Sequence, residues 1–268
     1  MLYKFKFKME IKVIFFDIDG TLVSFETHAI PQSTIDAIML LRQKGIKLII
    51  ATGRALVDIN NLGDLEFDGY ITANGAYCVE SNKKDVVFKN LIPKDNLQRL
   101  VEFQKQDPFS CVFMTDRGNF ANYIDEGVIA LNKMVNLPLP PVMPIEEIIE
   151  YDIFQIDGFI STEKEASILA NVLIDCEGSR WHPDFVDINV KGNTKSTGID
   201  VFLKKLGLSI ENTMSFGDGG NDISMLKHAR IGIAMGNASD RVKTAADYVT
   251  SSVDENGIVN ALKHFGVI

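Results

Sequence analysis

Long apolar runs are missing from this chain. No stretch approaches the roughly 18 consecutive apolar residues of a membrane-spanning helix, and no membrane partner is expected. Basic charge is also scarce: 27 lysines and arginines face 36 acidic residues, for a net charge of −9. A general nucleic-acid binder carries a basic face, so no nucleic-acid partner is expected, and an acidic surface gains nothing from anionic lipid. Cysteine is limited to Cys78, Cys111 and Cys176, without a C-x-x-C pair. An odd, scattered set fits small buried thiols in a reducing cytoplasm. The four histidines, His28, His182, His228 and His264, show no zinc spacing. The lysine and phenylalanine alternation of residues 1–9 lacks the longer apolar core and cleavage site of a signal peptide. It reads as an edge strand, or as an upstream start ahead of Met9. No internal repeat or low-complexity tract is evident.

What remains is an ordinary globular composition, 46% hydrophobic and 24% charged, long enough for one large or two moderate domains. Residues 13–16 form an apolar run typical of a fully buried strand. A helix is expected over 32–44, a strand over 46–51, a helix over 55–62 and a strand over 69–73. That alternation predicts right-handed βαβ units and a parallel sheet. The pattern then changes to hairpin-like segments at 76–80 and 85–88. Helices over 93–106, 126–135 and 163–174 follow, with strands at 111–114, 120–123 and 153–160. Residues 137–144 hold four of the eight prolines and read as a stiff connector. Residues 180–182 with 185–190 read as a further hairpin. Alternation returns with a helix over 195–206, a strand over 213–217, a helix over 222–228 and a strand over 231–234. The expected fold is α/β: a Rossmann-like parallel-sheet core of 1–83 and 191–268, with an inserted α+β domain of 84–190.

Chemistry-bearing blocks fall at strand ends or helix starts of that core, where open α/β sheets bind ligands. They are Asp17-Ile18-Asp19-Gly20-Thr21, Thr52-Gly53-Arg54, Lys195 and Gly217-Asp218-Gly219-Gly220-Asn221-Asp222. Buried carboxylates are costly unless a charge meets them. Asp17 is read as a phosphoryl-accepting nucleophile and Asp19 as its acid/base partner. Asp17, Asp19, Asp218 and Asp222 repel one another, and Mg²⁺, which favours oxygen ligands and substrate phosphate, resolves this. Lys195 and the Thr52 hydroxyl suit phosphate oxygens, and the amides of Gly53 and Arg54, at an expected helix start, would add donors.

Taken together, these blocks resemble the haloacid dehalogenase superfamily of aspartate-nucleophile phosphatases. Residues 16–22 match its first motif, Thr52 the second, Lys195 the third and residues 217–222 the fourth. The insertion between the second and third motifs is similar to the Cof-type subfamily with an α+β cap, often assigned to sugar phosphates. The resemblance implies that Asp17 forms an aspartyl-phosphate while Asp19 protonates the leaving oxygen and later deprotonates water. It implies Mg²⁺ on Asp17, the Asp19 carbonyl and Asp218, with Asp222 ligating or just behind. Thr52 and Lys195 would hold the equatorial oxygens, with Asn221 among the phosphate-binding groups. The leaving group would be read by Arg54, Asn74, Gly75, Asp187, Asn189 and Asn193, and Trp181 could stack on it. The expected function is Mg²⁺-dependent hydrolysis of a small phosphate ester, such as a hexose phosphate, by a monomer, since a cap removes the need for a covering subunit. A phosphotransferase or phosphomutase on this scaffold, or a silent phosphometabolite-binding regulator, are the alternatives.

Overall fold

The computed structural model describes residues 10–268; the edge strand expected at the amino terminus lies outside them. Strand β1, Val13–Phe16, is the axis of an eight-stranded sheet. It pairs in parallel with β2, Lys47–Ala51, on one side and with β11, Thr213–Gly217, on the other. Outward from β2 come β3, Gly69–Thr72, β4, Tyr77–Glu80, and β5, Val86–Lys89. Outward from β11 come β12, Ile231–Ala234, and β13, Tyr248–Val249. The β3–β4–β5 pairings are antiparallel and the others parallel.

Alternate residues of β1 serve opposite faces, as strand geometry requires. Ile14 and Phe16 join a core with α1, Gln32–Gln43, and α9, Gly257–His264, through Ile38, Leu41, Ile258 and Leu262. Val13 and Phe15 join a second core with α6, Lys195–Leu206, and α7, Ile223–His228, through Ile199, Phe202 and Met225. All four β1 side chains have zero exposure. Burial on this scale stabilises by about 1.5–3 kcal/mol per large apolar side chain, and β1 is thereby fixed as the sheet's centre.

A second, five-stranded sheet is antiparallel, in the order β7, Gly118–Ala121; β6, Cys111–Thr115; β8, Ile153–Gly158; β10, Val186–Val190; β9, Cys176–Ser179. One face carries Phe113, Ile156 and Ile188 against α2, Lys94–Gln104, and α5, Thr162–Asn171. The opposite face presents Val112, Met114, Gln155, Asp157 and Asp187 to a cavity shared with the large sheet. Helix α3, Glu126–Met134, closes one side of that cavity, and the short α4, Ile145–Ile148, follows.

Three local expectations are corrected. The helix expected over 55–62 is only a 3-10 turn at Leu56–Asp58. Its chain is held by a network around Arg54 rather than by a helical repeat. Residues 180–182 lie in the turn between β9 and β10, not in a strand, because β9 already pairs with β10 from Cys176. The boundary placed at 83 cuts the large sheet, since Val86–Lys89 pairs with β4.

Candidate active site

Asp17 continues β1 by one residue: its amide donates to the Phe216 carbonyl at 3.0 Å. The chain then turns through Gly20, at φ +82°, where a Cβ would stand 2.2 Å from Asp218 Oδ2. Only glycine allows that approach. Thr21 Oγ1 donates to Asp218 Oδ1 at 2.8 Å. Asn237, just past β12, donates to the Gly20 carbonyl at 2.9 Å and to Asp218 Oδ2 at 3.2 Å. Asp218 is thus aimed by residues from two other strand ends.

Lys195 opens α6, whose first turn is capped by Thr194 with a reciprocal Thr197 bond. Its side chain has no solvent exposure. A buried ammonium at a helix amino terminus is opposed by both desolvation and the helix dipole. Two carboxylates offset this: Nζ donates to Asp17 Oδ1 and to Asp222 Oδ1, each at 2.6 Å. Against burial, which pulls it down, Asp17 and Asp222 hold the Lys195 pKa above its ordinary value. Asp222 Oδ2 accepts from the amides of Asp218 and Gly219 at 2.9 and 2.8 Å. Both Asp222 oxygens are therefore occupied in fixing Lys195 and the turn that carries Asp218.

Asp17, Asp218 and Asp222 offer carboxylate oxygens all within 4.8 Å of one another. Burial, then Asp222, push the Asp17 carboxyl up to about 7 despite Lys195. Burial, then Asp17 and Asp222, push Asp218 well above the usual range. One ammonium does not balance three acids. The donor set is all oxygen and suits a hard divalent cation, which would return these groups to their ionised forms.

Thr52 follows β2 and lines the cavity. Its hydroxyl accepts from the Arg54 amide at 3.1 Å, so that amide is not an open anion donor. The guanidinium is also committed. Nε and one NH₂ group clamp the Asp19 carboxylate at 2.6 and 2.7 Å. The remaining contacts go to the carbonyls of Asp58 at 3.0 Å and Val135, at the end of α3, at 2.9 Å. Arg54 therefore links Asp19 to the small-sheet unit instead of standing free for a ligand.

Asn74 sits at φ 52° and ψ 32°, in the left-handed region, ahead of Gly75 at φ +102°. A Cβ on Gly75 would lie 2.1 Å from the Thr194 carbonyl, so the turn can seat against the start of α6 only with glycine. Asn74 Nδ2 donates to Asp187 Oδ2 at 2.7 Å and to Gln155 Oε1 at 2.9 Å. Its own Oδ1 accepts from Asn221 at 2.9 Å. Asn189 donates to the carbonyls of Ala73 and Phe154. Asn193 accepts from Asn90 at 3.1 Å while its own buried Nδ2 has no partner among the described residues.

A cavity of about 750 Å³ opens over these groups. Of the residues singled out from sequence, Asp17, Asp19, Thr52, Gly53, Arg54, Asp187, Asp218, Asn221 and Trp181 line it. Lys195 and Asp222 lie just beneath, while Asn74, Gly75, Asn189 and Asn193 brace the two sheets outside its wall. Trp181 meets Phe185 edge-on at 4.9 Å and packs by the Gly219-Gly220 turn. Sequence reasoning missed Thr21, Asn237, Gln155 and Asp157. Thr21 stood inside the first block, Asn237 followed an expected core strand, and Asp157 was a lone acid in an apolar run.

The family model for haloacid dehalogenase-like hydrolases matches residues 14–262. A putative phosphatase of Bacillus subtilis, YkrA, is 33% identical over 97% of this chain and all of its own length. The subclass IIB sugar phosphatase BT4131 superposes with a TM-score of 0.89 at 45% identity, covering 96% of this chain and all of that one. BT1666, a phosphatase from Bacteroides thetaiotaomicron, gives 0.90 at 40% identity, covering 100% and 99%. Sequence and fold agree across the whole match, and the chain belongs to the haloacid dehalogenase-like hydrolases, among the Cof-type phosphatases.

Proposed function

We propose that the chain hydrolyses small phosphorylated metabolites, sugar phosphates such as hexose phosphates among them, through a covalent aspartyl-phosphate on Asp17. The observation that carries this reading is the buried Lys195 bridge between Asp17 and Asp222 beside Asp218, at the floor of one cavity. Lys195 holds Asp17 Oδ1, which leaves Oδ2 to attack phosphorus. The bond from phosphorus to the ester oxygen breaks, and Asp19 donates its proton to that oxygen. Asp19 then takes a proton from water as the water oxygen attacks phosphorus, and Asp17 is released. Arg54 holds Asp19 in one orientation through two charge-assisted bonds, one to each oxygen, and one of them gives way when that oxygen carries the proton that Asp19 donates. Thr52, Asn221 and Lys195 face the non-bridging oxygens.

Mg²⁺ would be held by Asp17, Asp218 and the Asp19 carbonyl, and would supply charge neutralisation at the transferred phosphoryl group. Asp222 acts as a brace, since both of its oxygens already hold donors. The cavity volume lies within the range of small-molecule sites, and the name of BT4131, a sugar phosphatase, supports the substrate class. Residues after Lys89 and up to about Val190 form the inserted cap, and the chain acts as a cytoplasmic monomer. Phosphate release over a panel of phosphorylated metabolites tests the reading. Turnover is expected with Mg²⁺, lost in chelator and lost in Asp17→Asn. Turnover retained in both would overturn it.

A further inference from the structure

On the cavity face of the small sheet, Asp157 of β8 and Asp187 of β10 are register partners, directly opposite each other. They are 5% and 2% exposed. Like charges directly opposite on a sheet repel, and no cation among the described residues pairs with either. Their partners are amides: Asp157 Oδ1 accepts from Gln155 at 2.7 Å and Asp187 Oδ2 from Asn74 at 2.7 Å. Asp157 Oδ2 and Asp187 Oδ1 accept from nothing among the described residues. The neighbouring amide donors are spent, because Asn74 serves Gln155 as well and Gln155 also leans on the Gly53 carbonyl.

A further observation points to a ligand that carries positive charge. Six aspartates line that cavity against two strongly basic side chains, Arg54 and Lys133. Arg54 is already spent on Asp19 and two carbonyls, and Lys133 is exposed. Even with a divalent cation set against Asp17 and Asp218, Asp58, Asp157 and Asp187 remain, and a phosphate dianion with a neutral alcohol adds negative charge to this space. A leaving group with its own cation relieves it.

We propose that Asp157 and Asp187 form a subsite for a protonated amine on the leaving group, so that the preferred esters are phosphorylated amino sugars or amino alcohols. This rests on the phosphatase reading above. An ammonium between the two free oxygens supplies donors to both, and charge-assisted bonds exceed those a hydroxyl makes there. The apolar wall of Val112, Met114 and Trp181 takes the carbon skeleton.

The test compares matched pairs that differ by amine and hydroxyl: glucosamine 6-phosphate with glucose 6-phosphate, and serinol phosphate with glycerol phosphate. In the wild-type chain, kcat/KM is expected to be about tenfold higher for the amine in at least one pair, the scale of one added charge-assisted bond. Asp157→Asn and Asp187→Asn, near-isosteric changes, are each expected to bring that ratio close to one. A wild-type ratio at or below one in both pairs overturns the proposal without any variant. So does a preference that survives both substitutions. Turnover of p-nitrophenyl phosphate by the wild-type chain, and its loss in Asp17→Asn, separately report the phosphatase reading; if that chemistry holds while the ratio fails, only the subsite is wrong.

Discussion

Lys195 Nζ lies 2.6 Å from Asp17 Oδ1, with the lysine side chain wholly buried. The contact joins residues 178 positions apart and makes the third motif a condition for ionising the first. Lys195→Met leaves Asp17 and Asp222 without their ammonium. Removing one member of a buried ion pair costs about 3–5 kcal/mol. The variant is expected to lose phosphatase activity and also to unfold at clearly lower urea. Unchanged urea stability would show that the bridge is not structural.

Asp218 should report the cation directly. Thermal denaturation of the wild-type chain is expected to shift upward with millimolar Mg²⁺, because a ligand bound only by the native state stabilises it. Asp218→Asn is expected to abolish most of that shift. An equal Mg²⁺ shift in the variant would remove Asp218 from the cation site.

Stability should also depend on pH through the cap. Burial pushes the Asp187 carboxyl up to about 7, partly countered by the Asn74 bond and by Lys195. Burial and then Asp187 push Asp157 well above its ordinary value. With no ammonium bound between Asp157 and Asp187, the folded protein therefore keeps a proton at Asp187 that the unfolded chain releases near pH 4; a bound amine would displace it. Through this site, stability is expected to fall as pH rises from about 4 to about 7. Asp187→Asn should flatten that slope, measured by urea denaturation at pH 5.5 and 7.5 without metal. An unchanged slope would contradict the assignment.

In the proposed mechanism Thr52 is the neutral phosphate contact. Thr52→Ala removes one donor to a developing charge, a change that typically costs about 10²–10³ in kcat, with little effect on stability. Wild-type kcat would place the hydroxyl outside the reaction.

Much of this was legible in the sequence because strand ends carry both period and punctuation. Residues 13–16 announced a buried strand, and each motif followed a strand or opened a helix. What stayed hidden was set by contacts across sequence distance. The Arg54 side chain looked free to read the leaving group, but Asp19 and Val135 claim its donors from 35 and 81 positions away. Asn74 looked like a substrate contact, yet its amide is shared among Gln155, Asp187 and Asn221. The Asp157–Asp187 pair depends on strand register, which a single sequence does not print.

The covalent role of Asp17 is tested most directly by trapping its phosphoryl ester. The protein is mixed with a turned-over phosphate ester and Mg²⁺, quenched in acid within the first turnover, reduced with borohydride and digested. The expected result is homoserine at position 17 in the peptide containing Asp19, present only when substrate was added and absent from Asp17→Asn. Rapid phosphate release with Asp17 left unmodified, or undiminished release by Asp17→Asn, would contradict the aspartyl-phosphate.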